Sequence, residues 1–338
     1  MIKKDKVFII AEAGVNHNGN IKLAYKLIDK ASLAKVDAIK FQTFTANTLV
    51  TKNARMAKYQ SKDKRFKSQF EMLKKLEFSK AMHKKCIIRC KKRNINFLSS
   101  PFSIEDVVFL EQFNLMYFKI PSGEITNLPY LRFIAGRKKK IILSTGMSTN
   151  KEINVAVNVL KKYGTNLKDI ILLHCNSAYP TPYEDVNLNS IILLKKKFRV
   201  KIGISDHSQG IEVPISAVAL GAVVVEKHFT LSRKLKGPDH SSSIEPEELN
   251  QMVKSIRNIE KALNTKKKIT RSEKNNIKIV RKSIVARRDI LKEEFFTEKN
   301  LTCKRPGTGI SPMLYDKVIG LKAKKNFKTD DIIKIKGL

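Results

Sequence analysis

Two histidines 21 residues apart, His207 and His228, stand in matching surroundings. Each follows a run of β-branched apolar residues, Val200-Lys201-Ile202-Gly203-Ile204 and Ala222-Val223-Val224-Val225. Each also closes a polar cluster, Ser205-Asp206-His207 and Glu226-Lys227-His228. The segment between them, residues 211–220, is apolar and of helical length. That pattern is strand, helix, strand, with both clusters at the carboxyl ends of parallel strands, where α/β sheets and barrels keep their chemistry. Two imidazoles so placed can meet around one divalent ion. A protein shell of two nitrogens leaves positions for water and substrate oxygens, which suits Lewis-acid work on a carbonyl better than a structural site. A lone histidine is more often a hydrogen-bonding strand cap; the repeated placement is what favours the ligand reading. Mn2+, Mg2+, Co2+ and Zn2+ all fit such ligands.

A second set of residues points to an anion. Lys40 and Lys119 each sit inside an apolar strand, Ala38-Ile39-Lys40-Phe41 and Tyr117-Phe118-Lys119-Ile120, where a solvated lysine would be out of place. With Ser122, Ser144, Ser205 and strand-end backbone amides they make a pocket for a phosphate or a carboxylate, because such donors satisfy a compact anion from several directions. A strand-end lysine also forms Schiff bases, so an aldolase or lyase using Lys40 or Lys119 stays open at this point. Glu12 and Asp239 are candidates to handle a proton or position water, with a purely structural hydrogen-bonding role as the competing reading.

The elements that must position these residues alternate along the chain. Strand signals fall at 7–11, 38–41, 96–99, 117–120, 141–144, 170–174, 200–204 and 222–226. Helical stretches separate them, such as 21–33, 82–93, 104–113, 151–162 and 190–198. Eight strand signals with intervening helices predict a (β/α)8 barrel, with a doubly wound sheet as runner-up. The barrel is favoured because nearly every strand ends in reactive groups, and an open sheet would not gather them into one pocket. An insertion at 43–78, polar and basic, is expected over the barrel mouth as a lid or partner contact. Tyr179-Pro180-Thr181-Pro182 predicts a rigid loop, since proline fixes φ and restricts its predecessor. A barrel uses about 250 residues, and this chain has 338. The expected division is a barrel over 1–264, a basic linker over 265–282 and a small β-rich domain over 283–338, with strand-like pieces at 284–286, 287–290, 301–305 and 332–335.

The charge, 67 Lys+Arg against 31 Asp+Glu, first reads as nucleic-acid binding. Its distribution argues otherwise: Lys triplets fall near element ends, aromatics are not interleaved with them, and no DNA- or RNA-binding motif is present. No specific nucleic-acid partner is expected, and the excess reads as compositional bias that also attracts an anionic substrate. Cys86, Cys90, Cys175 and Cys303 form no CxxC pair, so reduced thiols and a cytoplasmic location are expected. With no apolar leader at the start and no apolar run of about 18 residues, neither secretion nor a membrane span is expected.

Nearly the whole length resembles the sialic acid synthase family, the phosphoenolpyruvate-condensing synthases of N-acetylneuraminate, legionaminate and pseudaminate. The resemblance rests on IIAEAGVNHNG at 9–19, KFQT at 40–43, FKIPSGE at 118–124, ILSTGM at 142–147 and LHCNSAYPTPYEDVNL at 173–188. It continues through GISDHSQG at 203–210, EKHFTL at 226–231, GPDHSSSIEP at 237–246 and KRPGTGIS at 304–311. It implies a metal-dependent enzyme with Mn2+ as the leading ion and Mg2+ or Co2+ as alternatives. The tail would be an antifreeze-like SAF domain reaching the partner's barrel in a domain-swapped homodimer. Carried over by position, His207 and His228 are the metal ligands, and Lys40, Ser100, Lys119, Ser122, Ser144 and Ser205 hold phosphoenolpyruvate. Glu12, Gln42, Tyr179 and Asp239 hold an N-acetylated hexosamine, with Arg305 arriving from the partner's tail, and Glu12 and Asp239 are catalytic. Within the family, the KFQTF segment, Lys58-Tyr59-Gln60 and residues 124–129 resemble the branch of legionaminate and some N-acetylneuraminate synthases. Pseudaminate synthesis is the alternative.

Overall fold

A computed structural model of the chain describes residues 6–56, 66–263 and 267–336; Lys58-Tyr59-Gln60 lies outside them. The chain folds as two compact units, 1–263 and 264–338. In the first, eight parallel strands alternate with helices: β1 Phe8–Gly14, β2 Ala38–Thr43, β3 Asn96–Pro101, β4 Phe118–Ile120, β5 Ile141–Ser144, β6 Ile170–Cys175, β7 Lys201–Asp206 and β8 Val224–His228. They hydrogen-bond in the order β3-β2-β1-β8-β7-β6-β5-β4, and β3 lies against β4 at the two ends of that order. This is a (β/α)8 barrel, and the doubly wound alternative falls because no strand order reverses.

Strand side chains alternate between two cores. Facing outward, Ile9, Ala11, Ile39, Phe41, Leu143, Leu172, Ile202, Ile204 and Val225 pack under the helices. Facing inward, Phe8, Ile10, Ala38, Leu98, Ile142, Ile171, Leu173 and Val224 fill the barrel floor. Burial on both faces explains why the strands read as continuous apolar runs. The polar residues at their ends lie within the strands: β1, β2, β3, β7 and β8 all run further than the apolar runs predict. A backbone ladder is indifferent to side-chain polarity, so it continues until the chain turns.

Helix ends follow local chemistry. The second long helix starts at Lys80, before its apolar pattern begins, because Ser79 accepts from Met82 N. Thr149 and Glu152 form a capping box ahead of Asn150–Lys162. Between β4 and β5 a helix went unread, Leu128–Gly136. Asn127 caps it, and Pro129 sits in its first turn, where a missing N–H costs nothing. Its Tyr130 is buried and donates to the Pro101 carbonyl at the end of β3, 2.8 Å away.

The insertion after β2 is less polar than its composition implies. Helices Ala46–Leu49 and Gln69–Leu76 contribute Ala46, Met72, Leu73 and Leu76 to an apolar cluster with Val15 and Phe44. In the second unit, β9 Ser283–Ala286 pairs antiparallel with β10 Leu301–Lys304, over a core that includes Ile284, Phe296, Leu301 and Val318. The strand-like pieces at 287–290 and 332–335 are isolated bridges at Ile290 and Ile332 rather than strands. Part of the stretch read as linker is a helix, Lys274–Val280.

Gly203 of β7 sits where the barrel interior leaves no room for a side chain. A Cβ there would come within 2.4 Å of the Val224 carbonyl oxygen and 2.7 Å of a Leu173 methyl. Backbone cannot swing aside as a flexible side chain does, so the strand must shift. Gly203→Ala is expected to cost about 1–3 kcal/mol through overpacking, read as a lower urea midpoint with an unchanged slope.

Candidate active site

One step above the apolar floor, the same inward alternation delivers a polar layer. Strand pairing puts Glu12 beside Lys40 and beside His228, Gln42 beside Ser100, and Ser205 beside Glu226. These side chains, with Lys119, Ser122, Ser144, Tyr179 and His207, line one cavity of about 430 Å3 at the carboxyl ends of the strands. Leu49, Val50, Gln69 and Leu73 of the insertion line the same cavity, so that segment does lie over the mouth. Asp239 is buried and stands beside His228, its Oδ2 3.9 Å from Nδ1. Arg305 is exposed on the loop after β10 in the second unit.

The two lysines are almost wholly buried, at 3 % exposure each. Burying an ammonium group costs several kcal/mol unless it is paired, and the pairing here is shared. Lys40 Nζ lies 2.8 Å from Glu12 and 3.6 Å from Glu226, and it donates to Ser100 at 3.0 Å. Lys119 Nζ lies 3.4 Å from Glu226 and donates to Ser144 at 2.8 Å. Ser205 donates to Glu226 at 2.8 Å. Glu226 thus bridges both lysines and a hydroxyl.

The carboxylates are driven apart by these surroundings. Burial would raise Glu226, but Lys119 and Lys40 outweigh it and hold it at about 2. Glu12 is pushed up to about 7, chiefly by burial, with Lys40 opposing and Glu226 adding to the rise. Asp239 is pushed up to about 6 by burial. One firmly ionised carboxylate beside two that hold protons near neutrality is how acid and base roles separate in enzyme sites.

His207 and His228 approach with ring centroids 5.2 Å apart. His207 Nδ1 donates to the Asn176 carbonyl, which fixes the ring and turns Nε2 toward the Tyr179 hydroxyl, 3.1 Å away. Tyr179 stacks on His207 and meets His228 edge-on. Burial, with His207 and Lys40 nearby, holds His228 well below the usual imidazole range, and its buried Nδ1 has no hydrogen-bond partner among the described residues. Against burial, Cys175 and the Asn176 carbonyl hold His207 above its ordinary value; a metal ion would compete with that proton. Among the described residues no three His, Cys, Asp or Glu side chains form a metal cage. The donors therefore fit an ion held by two imidazoles and completed by water and substrate oxygens.

Glu226 and Cys175 are among the pocket residues that sequence reading missed. Cys175 Sγ lies 3.8 Å from both His207 Nδ1 and Ser122 Oγ. The missed signal was parity: in Glu226-Lys227-His228 the first and third residues share the inner face, while Lys227 turns outward. There it is fully buried, donating at 2.5 Å to Asp206 Oδ2 and to the Ser208 carbonyl. Asp206 precedes one candidate ligand and Lys227 the other, so this buried pair ties together the strand ends that carry His207 and His228.

Comparison with known proteins finds relatives over nearly the whole chain. The sequence profile of the NeuB family matches residues 27–268, and that of the SAF domain matches 281–338. The N,N'-diacetyllegionaminic acid synthase of Campylobacter jejuni is 51 % identical over 97 % of this chain and 99 % of its own length. The protein of the same name from Legionella pneumophila is 44 % identical over 94 % of this chain and 91 % of its own. The crystal structure of N-acetylneuraminic acid synthetase from Leptospira borgpetersenii, in complex with citrate, superposes with a TM-score of 0.71 at 38 % identity, covering 80 % of this chain and 90 % of that one.

Removing one partner of the outward pair leaves the other charge buried alone. Lys227→Met is therefore expected to destabilise the barrel by about 3–5 kcal/mol, and Asp206→Asn added to it should recover part of the loss. Urea midpoints of the three proteins measure both effects.

Proposed function

This chain belongs to the NeuB family and ends in a SAF domain, and from that premise we propose that it is a nonulosonate synthase. It condenses phosphoenolpyruvate with an N-acetylated mannosamine-type aldose and water and releases phosphate. The favoured product is N,N'-diacetyllegionaminate, the name carried by relatives at 51 % and 44 % identity, with N-acetylneuraminate as the neighbouring possibility. The observation that carries the reading is the buried pair Lys40 and Lys119, each backed by a serine hydroxyl and joined through Glu226.

In this reading Lys40, Lys119, Ser100, Ser122, Ser144 and Ser205 hold phosphoenolpyruvate. With Glu12 raised toward neutrality, chiefly by burial, the two ammonium groups outweigh the carboxylates, so the layer favours a small polyanion. Gln42, Tyr179, Glu12 and Asp239 hold the open-chain sugar. Arg305 from the partner of a domain-swapped homodimer meets its N-acetyl group. His207 and His228 hold a divalent ion, Mn2+ before Mg2+ or Co2+, which when bound supplies Lewis-acid polarisation of a carbonyl.

The methylene carbon of phosphoenolpyruvate bonds to the aldehyde carbon, whose oxygen takes up a proton. Water adds to the cationic C2 and gives up a proton. Glu12 and Asp239, the two carboxyls raised toward neutrality, are the groups placed to exchange those protons. The C2 hydroxyl of the tetrahedral intermediate then gives up its proton as the bond from C2 to the phosphate ester oxygen breaks, leaving a C2 ketone and inorganic phosphate. Throughout, Lys40 and Lys119 stabilise negative charge as it moves, from positions that need no reorganisation.

The test is phosphate release from phosphoenolpyruvate and Mn2+, with 2,4-diacetamido-2,4,6-trideoxymannose in one reaction and N-acetylmannosamine in another. EDTA-sensitive release with the diacetamido sugar is expected, and Lys119→Met should lower kcat/KM by about 10²–10³-fold. Release with N-acetylmannosamine alone moves the product to N-acetylneuraminate. Borohydride trapping of pyruvate on a lysine, indifferent to EDTA, overturns the reading in favour of a Schiff-base lyase.

A further inference from the structure

Asn16 follows β1 and is buried at 1 % exposure, yet it does not line the cavity. Its side-chain nitrogen donates to the Phe229 carbonyl at 2.9 Å and to Ser243 Oγ at 3.0 Å. A carbonyl only accepts, so the amide nitrogen has to face that way. The amide oxygen then has no partner among the described residues. A buried polar group left unsatisfied costs stability and calls for a reason other than packing.

The two bonds show what the arrangement secures. Phe229 directly follows His228. Ser243 Oγ, already accepting from Asn16, spends its one hydrogen on the carbonyl of Asp239, 2.6 Å away. A single amide therefore ties the residue after one candidate metal ligand to the residue bearing a candidate catalytic carboxyl. The same loop has a second anchor in the next residue, His240. Asn18 Nδ2 lies 3.2 Å from His240 Nε2, and an amide nitrogen only donates, so Nε2 accepts. The hydrogen must be on Nδ1, which donates to Thr230 Oγ1 at 2.6 Å.

We propose that Asn16 and Ser243 are positioning residues that set the Asp239 carboxyl beside His228 for the reaction. They touch neither substrate nor ion and act through Asp239. This rests on the reading of Asp239 as a carboxyl that meets the sugar in the synthase reaction. The loop of residues 229–244 has little regular structure beyond a single turn at His240–Ser242, where the Ser242 N–H donates to the Asp239 carbonyl at 3.2 Å; the side-chain bonds of Asn16, Asn18, Thr230 and Ser243 tie that turn to the barrel.

The experiment is a kinetic cycle with Ser243→Ala, Asp239→Asn and the double variant, using phosphoenolpyruvate, Mn2+ and the sugar that the wild type accepts. Ser243→Ala is expected to lower kcat about 10–100-fold with KM for phosphoenolpyruvate unchanged, and Asn16→Ala to behave alike. Ser243→Thr, which keeps the hydroxyl, should restore most of the rate. In the Asp239→Asn background, Ser243→Ala should change kcat by less than about twofold, since its effect has already been removed. Equal losses in both backgrounds, or a wild-type kcat for Ser243→Ala beside a slow Asp239→Asn, would overturn the positioning role alone. A wild-type kcat for Asp239→Asn, or no phosphate release by the wild type with any sugar, would overturn the functional reading and this role with it.

Discussion

The structure turns on a charged layer that has to be buried to work. Lys40 and Lys119 point into the barrel above a floor of Ile10, Leu98, Ile142 and Leu173. In that setting each ammonium is tolerable only with a partner, and hydrophobic residues of similar size would be more stable. Glu226 on β8 supplies the shared countercharge, and the serines complete it. With Lys40 held by Glu12 and Glu226 and Lys119 by Glu226, an entering anion meets donors already oriented and need not bear the cost of dehydrating them. Stability is given up in the free protein for a pocket whose field is in place before the substrate arrives.

Such a layer needs rigid walls, and the barrel supplies them through pairing rather than through loops. Glu12, Lys40, Ser205 and Glu226 lie within strands at positions paired on both sides, and Ser144 and His228 at strand ends paired on one side. A site built on strands keeps its geometry to within a fraction of an ångström. The outer faces of the same strands contribute as well. Asp206 and Lys227 neutralise each other between β7 and β8, at the level where the inner faces present Ser205, Glu226 and His228.

Much of this was legible in the sequence, because a barrel repeats one rule eight times. Each apolar run ended in reactive residues, and that regularity separated a barrel from an open sheet. Lys40 and Lys119 declared themselves by standing inside apolar strands. What stayed hidden needed a second coordinate, the parity of each residue. Glu226 and Lys227 are neighbours in sequence with opposite charges and both are buried, and only the inward or outward sense separates a pocket carboxylate from a structural cation. The helix Leu128–Gly136 was missed for a related reason. Its proline reads as a breaker, and only its distance from Asn127 shows that it falls in the first turn. The segments 287–290 and 332–335 failed the other way, since β-branched residues in a small irregular domain earn single bridges as readily as strands.

Asp239 shows where strand geometry stops being enough. It lies beyond β8 on a loop between two close-packed anchors, and a free loop of that length would spread the carboxyl over many positions. Ordering each loop residue costs about 1–2 kcal/mol of backbone entropy, and one net hydrogen bond returns about the same. Single contacts therefore cannot hold the loop, but several converging on a short stretch can. Asn16, Asn18, Thr230, His240 and Ser243 converge on residues 236–243, and two of them follow β1, the strand that pairs with β8. The first and last strands are adjacent only because the barrel closes, so the place of this carboxyl follows from closure itself.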